Sequence, residues 1–307
     1  MKMRRILPFL AMLLVLAFQL SGVAEHDTRR VFLKGEAPDF SPDEPVLEVY
    51  VAPLMSADCF LIRQGDHTML VDMGTLGNAD QIEQMVREAG VDRIEYGFNT
   101  HPHEDHLSGI RELMKRFSFD HFLTPFPLEY ADRPCNQVVM MKEIAAAGVP
   151  IDLVERGDEV ALGDAVITIF SHEAKGETLN NQSSMALVSF GDCRMLLTAD
   201  VESKIVQGLL IEEYPGLLRA DIMKCPHHGV SNINPDFLQA VNPEMAFITT
   251  GYYNCEHARK YLDKNGIGYG ISTWGTMRFV TNGEYWLCEH LLAPEYVGMP
   301  ESHHTAF

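Results

Sequence analysis

The chain has 307 residues, 46% of them hydrophobic and 22% charged, which supports a sizeable folded core and excludes wholesale disorder or a multi-span membrane protein. Asp and Glu number 43 against 24 Lys and Arg, a formal charge of −19 that repels phosphate backbones at long range. The charge therefore disfavours a nucleic-acid partner, and aromatics at 9% with two tryptophans offer no base-stacking platform.

Lys2, Arg4 and Arg5 precede an apolar run over 6–20 and the small residues Ser21-Gly22-Val23-Ala24. This three-part pattern predicts a secretory signal peptide over 1–24, with an uncleaved N-terminal anchor as the alternative. The run is short for a membrane span, so cleavage would leave no stable span and a formal charge of −22. The expected location is secreted or extracytoplasmic, in the cell envelope. There the six cysteines meet an oxidising compartment. They form no CxxC pair, and Cys59, Cys193 and Cys225 sit in apolar strand patterns that read as buried thiols. Residues 25–45 lack periodicity and read as a linker or an ordered N-terminal arm.

From residue 46 the pattern becomes regular. Alternation predicts strands over 46–51, 59–62 and 68–72, with a turn at Gln64-Gly65-Asp66. Ile82, Met85 and Val86 share one face of a helix over 79–89, stopped by Gly90. A strand over 93–100 delivers the chain to His101. Helices follow over 108–116 and 136–147, then a strand over 165–170. A hairpin of 185–189 and 193–198 turns at Gly191-Asp192. Helices over 201–213 and 255–265 alternate with strands over 220–225 and 245–250. Each half runs from β-rich to helical. This order suits an α/β fold of two packed mixed sheets flanked by helices, an αββα sandwich in one domain over 46–290, with 291–307 as a tail.

The strongest chemical signal is Thr100-His101-Pro102-His103-Glu104-Asp105-His106, directly after a predicted strand. Where a strand ends the backbone turns, so these side chains can converge, and imidazole and carboxylate donors suit zinc and related divalent metals. Three histidines around an acid within six residues argue against a merely solvated loop.

His101, His103, Asp105 and His106 form a full HxHxDH pattern, and here the chain resembles the metallo-β-lactamase superfamily. Asp72 followed by Gly74, Asp200 at the end of a strand, and Pro226-His227-His228-Gly229 after another strand resemble its further landmarks in order. Asn180-Asn181-Gln182-Ser183, Leu196-Leu197-Thr198-Ala199-Asp200 and Lys224-Cys225-Pro226-His227-His228-Gly229 resemble the ComEC-like branch, the hydrolase domain of competence proteins. Tyr253-Asn254 followed by His257, and Ser272-Thr273-Trp274-Gly275-Thr276, look like that branch's closing segment. Three features depart from the pattern. Leu54-Met55-Ser56-Ala57-Asp58 keeps only the Asp of the branch's first turn. Asn180-Asn181 stands where many members carry a third histidine motif. Val230 precedes Ser231 after the HHG.

The resemblance implies two Zn2+ ions, with Mn2+ as the alternative at one or both positions. His101, His103 and Asp200 would hold the first; Asp105, His106, Asp200 and His228 the second. Asp72 would support the site's loop, and Asp58 and Asn180 would stand behind the ligands. A metal-bound hydroxide would be the nucleophile, with Asp105 handling its proton and His227 and Asn181 stabilising the substrate oxyanion. Adjacency leaves open which of His227 and His228 binds metal; the resemblance favours His228. The implied function is an exported metal-dependent hydrolase of a phosphoester or other small anionic substrate. The alternatives are a ComEC-like nuclease acting on DNA and a catalytically silent binding protein on the same scaffold.

Overall fold

The computed structural model describes residues 29–126, 137–172 and 177–292. Its strands lie in chain order: β1 (Val31–Leu33), β2 (Leu47–Val51), β3 (Phe60–Gln64), β4 (His67–Val71), β5 (Arg93–Phe98), β6 (Ser118–Thr124), β7 (Ile151–Leu153), β8 (Glu159–Leu162), β9 (Ala165–Phe170), β10 (Met185–Phe190), β11 (Cys193–Leu197), β12 (Ile222–Lys224), β13 (Met245–Ile248), β14 (Gly268–Ile271), β15 (Gly275–Thr281) and β16 (Trp286–Leu292). Between them run helices α1 (Ala79–Glu88), α2 (Glu104–Leu107), α3 (Ile110–Leu113), α4 (Gln137–Ala146), α5 (Lys204–Glu213), α6 (Pro235–Val241) and α7 (Glu256–Lys264).

Burial along the strands dictates the layers. Successive side chains of a strand point to opposite faces, so a strand buried throughout must be covered on both. Phe60, Ile62, Met69 and Val71 pack against Ile167, Val188, Met195 and Phe247 in the core between the sheets. Their neighbours Leu61 and Leu70 point the other way, onto Ile82, Val86, Ile110 and Ile144 of the first helical layer. Leu187, Leu196 and Met223 likewise face Leu210, Phe237 and Leu262 of the second. The result is the α/β sandwich of two mixed sheets between helices. One sheet has nine strands in the order β1-β16-β15-β2-β3-β4-β5-β6-β7, the other seven in the order β14-β13-β12-β11-β10-β9-β8.

Strand direction places the candidate site. β4, β5 and β6 are parallel neighbours, as are β11, β12, β13 and β14. Parallel neighbours deliver their carboxyl-terminal loops to a common edge. The loops after β4, β5, β11, β12 and β13 therefore gather at one rim of the sandwich.

Several boundaries differ from expectation. The proposed signal segment lies outside the described residues, as do Cys135 and residues 293–307. Residues 31–33 of the arm are a strand, pairing in parallel with β16 (Val31↔Trp286, Leu33↔Cys288). Leu291 and Leu292, assigned to the tail, complete β16 and pair with β15. The helix expected over 108–116 is the shorter α3, preceded by a separate piece, α2, with a turn at Ser108 and Gly109 between them. There the backbone is drawn onto the loop after β4: Gly109 N donates to Gly74 O at 3.0 Å, and a Cβ at 109 would stand 1.9 Å from Met73 O. Cys59, Cys193, Cys225, Cys255 and Cys288 are buried free thiols.

Candidate metal centre

Asp200 is the hub. It follows β11, its side chain is buried, and its Oδ2 lies within 4 Å of four imidazole nitrogens: His106 Nε2 at 3.3 Å, His228 Nε2 at 3.5 Å, His101 Nε2 at 3.8 Å and His227 Nε2 at 3.9 Å. Asp105 joins them, its Oδ2 at 3.2 Å from His228 Nε2 and 3.8 Å from His106 Nε2. His103 reaches the group through His101, with Nδ1 at 3.0 Å from His101 Nε2. Residues from both sheets thus meet at one place. The loops are stitched together by the backbone: Asp58 N donates to Asp105 O, Met73 N to His106 O, and His227 N to Ala199 O.

The imidazoles are aimed. The four at Asp200 have Nδ1 tied outward, His227 to Glu202 and the other three as follows, which leaves Nε2 facing the hub. Asp72 Oδ2 takes His106 Nδ1 at 2.7 Å, and Asp72 is itself held by Thr100 N, Thr100 Oγ1 and Asn99 Nδ2. Asp58 Oδ1 takes His228 Nδ1 at 3.0 Å and the Thr249 hydroxyl at 2.6 Å. Thr100 Oγ1, having given its proton to Asp72, can only accept from His101 Nδ1, at 3.1 Å. Backbone strain marks the same loops. Asp72 (φ 56°), Ala199 (φ 47°), His227 (φ 48°) and His228 (φ 55°) are all left-handed non-glycine residues, a conformation retained where the surroundings over-determine it.

The charges are interlocked. Burial opposes ionisation of Asp200, yet the charges of His106, His228 and Lys224 hold its carboxyl well below the ordinary range. Burial likewise opposes Asp105, but its bond to His228 and the charges of His106 and His228 bring it down to about 2. Burial would deprotonate His228, but Asp200 and Asp58 raise it to about 10; Asp200 and Asp72 hold His106 well above its usual value in the same way. His101 goes the other way, pushed well down by burial and by the charge of His106.

These donors fit a divalent cation. His106 Nε2 is buried and makes no directed hydrogen bond, an arrangement costly for a polar atom that has no further partner. Ligand atoms of Asp58, His106, Asp200 and His228 all fall within 4.8 Å of one another. Nitrogen and carboxylate oxygen donors suit zinc or manganese.

The two adjacent histidines diverge. His228 turns Nε2 to Asp105 and Asp200, whereas His227 ties Nδ1 to Glu202 Oε2 at 2.7 Å. Ser231, one place later than the branch pattern has it, contacts both Glu202 and His227 Nδ1. The two asparagines also part. Asn180 Nδ2 lies 3.3 Å from His227 Nε2, at the mouth of the group. Asn181, expected as an oxyanion donor, instead accepts from Glu202 N and Ser203 N through Oδ1 and donates to Glu177 and Thr178. Its amide is spent on holding the loop after Asp200. The sequence reading gave no role to Lys224, Thr249, Glu202 or Thr100. Thr100 and Lys224 stood within the motifs it quoted, and Lys224 carried a further signal, an ammonium inside a strand pattern whose other residues are apolar or Asp.

A family model described as the metallo-beta-lactamase superfamily matches residues 52–233. The chain belongs to the metallo-β-lactamase superfamily. Two curated relatives are competence proteins. ComE operon protein 3 of Bacillus subtilis (strain 168) is 27% identical over 170 residues, which is 55% of this chain and 21% of that protein. Competence protein ComA of Neisseria gonorrhoeae is 23% identical over 214 residues, 69% of this chain and 28% of that protein. This superfamily member thus spans only a fifth to under a third of the relatives it matches. Among solved structures, the metallo-beta-lactamase fold protein YhfI from Bacillus subtilis aligns with a TM-score of 0.49 at 12% identity, covering 72% of this chain and 93% of that one. Among the described residues no helix is long and apolar enough to cross a membrane.

Proposed function

We propose that this chain is an exported metal-dependent hydrolase acting on a phosphoester or related small anion. The observation that carries the reading is the convergence of four imidazoles on Asp200 Oδ2, with Asp105 alongside. His101, His103 and Asp200 would hold one cation; Asp105, His106, Asp200 and His228 the second, with zinc or manganese suiting both donor sets. Bound there, a divalent pair supplies Lewis acidity, making water acidic near neutral pH and polarising the group under attack.

The chain's own residues do the rest. Asp105 is the hub acid most open to solvent, with its side chain 31% exposed against 2% for Asp200. In this reading its carboxylate orients the attacking water and accepts its proton. His227, partly exposed and anchored through Nδ1 by Glu202, presents Nε2 toward the substrate side, beside the Asn180 amide. In this reading they bind the substrate oxyanion, the Asn180 amide donating directly and His227 donating through Nε2 as the imidazolium. Asp72 and Asp58 hold His106 and His228 in register throughout.

The test is metal content by elemental analysis, followed by hydrolysis of bis(p-nitrophenyl) phosphate. The expected result is up to two metal equivalents, cleavage that a chelator abolishes, and the same loss in His103→Ala and Asp105→Ala. Activity retained in both variants, or in the chelated protein, overturns the reading. A nuclease acting on DNA is the second reading, favoured by the competence relatives and opposed by the acidic charge. Cleavage of single- and double-stranded DNA across a salt series separates the two.

A further inference from the structure

Lys224 ends β12 with its side chain fully buried, a position that costs free energy unless the charge is paired. Its Nζ lies 2.7 Å from Asp58 Oδ2, donates to Ala199 O at 2.7 Å, and lies 3.5 Å from Asp200 Oδ1. Asp58 comes from the β2–β3 loop of the nine-stranded sheet, Lys224 and Asp200 from the seven-stranded one. The ammonium therefore joins the two layers at the site itself.

Asp58 is near enough to the imidazoles to compete for a cation. Both of its oxygens face partners, however, Oδ2 through an ion pair without a directed hydrogen bond. Oδ1 accepts from His228 Nδ1 and Thr249 Oγ1, and Oδ2 faces Lys224. Asp105 keeps Oδ2 toward the His228 and His106 nitrogens instead. Asp200 is divided by the same ammonium, with Oδ1 on the lysine side and Oδ2 on the imidazole side.

We propose that Lys224 is a positioning residue that holds Asp58 behind His228 as a support and so reserves the coordination place beside His228 for Asp105. The inference rests on the metal reading above and assigns a role to a residue that reading does not use. Without the ammonium, Asp58 Oδ2 would be free to swing toward the cation, and coordination number and geometry would change.

The full chain loaded to saturation with cobalt(II) tests this, because the visible ligand-field absorption weakens and shifts as coordination number rises. Asp58→Asn should bind as many cobalt equivalents as the wild type with the same bands. Lys224→Met should keep the equivalents but show weaker, shifted bands, and Asp58→Asn combined with Lys224→Met should restore the wild-type bands. The double variant leaves neither charge of the pair buried alone, so it keeps the test usable if Lys224→Met does not fold. Loss of an equivalent or of the bands in Asp58→Asn would make Asp58 a ligand and overturn the proposal, as would wild-type bands in Lys224→Met. A wild-type protein that takes up no cobalt defeats the metal reading itself, an outcome distinct from either.

Discussion

Two pairs of histidines are gathered around Asp200, His103 through His101 and the others directly, and the pairs are held differently. His101 and His103 come from one loop, two residues apart, and among the described residues their side-chain support on the outer side is the Thr100 hydroxyl on His101. His106 and His228 come from different sheets, and each leans on its own buried carboxylate, Asp72 and Asp58. A carboxylate behind an imidazole fixes its tautomer, orients the ring and raises its basicity more than a hydroxyl does. Nearness in sequence thus supplied the less firmly held pair. The better-braced pair had to be assembled by the fold.

The contrast can be broken or sharpened by mutation. Asp200→Asn removes the shared oxygen of both pairs and should give the largest effect, abolishing phosphodiester cleavage and lowering metal content at both positions. Asp72→Asn and Asp58→Asn should each weaken metal affinity by about 10–100-fold at the braced position, read by competition with a chromophoric chelator. Thr100→Val should cost the His101 side less than either. Equal losses in all three variants would erase the distinction between the pairs.

A smaller effect concerns pH. The folded-state values of His106 and His228 are raised, against burial, by Asp200 with Asp72 and by Asp200 with Asp58. In the metal-free protein their contribution is complete below the ordinary histidine value near 6.5. It is lost as pH rises toward the folded value of about 10 for His228. Chelated protein should therefore melt progressively lower from pH 6.5 to 9.5, at about 2–4 °C per kcal/mol lost. Zinc binds the unprotonated imidazole, so its stabilising increment should grow over the same range. Parallel melting curves with and without metal would break this prediction. The smallest expected effect on chemistry comes from Asn181→Ala, whose amide holds only the 202–203 backbone and the 177–178 stretch; it should lower thermal stability more than the KM or kcat of the loaded enzyme.

Much of the site was legible because its signals are local. The loop over 101–106 follows a strand whose alternation is plain, and Asp200 ends another. The strand cores of β2, β3, β10 and β11 were readable from apolar periodicity. β1, β6 to β8 and β14 to β16 were not, and neither was the turn at Gly109, which depends on the approach of Met73 from a distant loop. The adjacent His227 and His228 could not be told apart by spacing. Their separate roles follow from two successive left-handed residues that turn one ring to Glu202 and the other to Asp105 and Asp200.

The amino-acid order by itself determined the kinds of donor, the strands that carry them and the αββα layering, since periodicity and residue chemistry are properties of short stretches. Only the tertiary structure decided which nitrogen of each ring faces the centre, that Asp58 stands behind His228, and that a buried lysine ties the two sheets together. Those choices depend on hydrogen bonds such as Thr249 to Asp58, between residues separated by 191 positions in the chain. Contacts across that span form only when two sheets close on a common core.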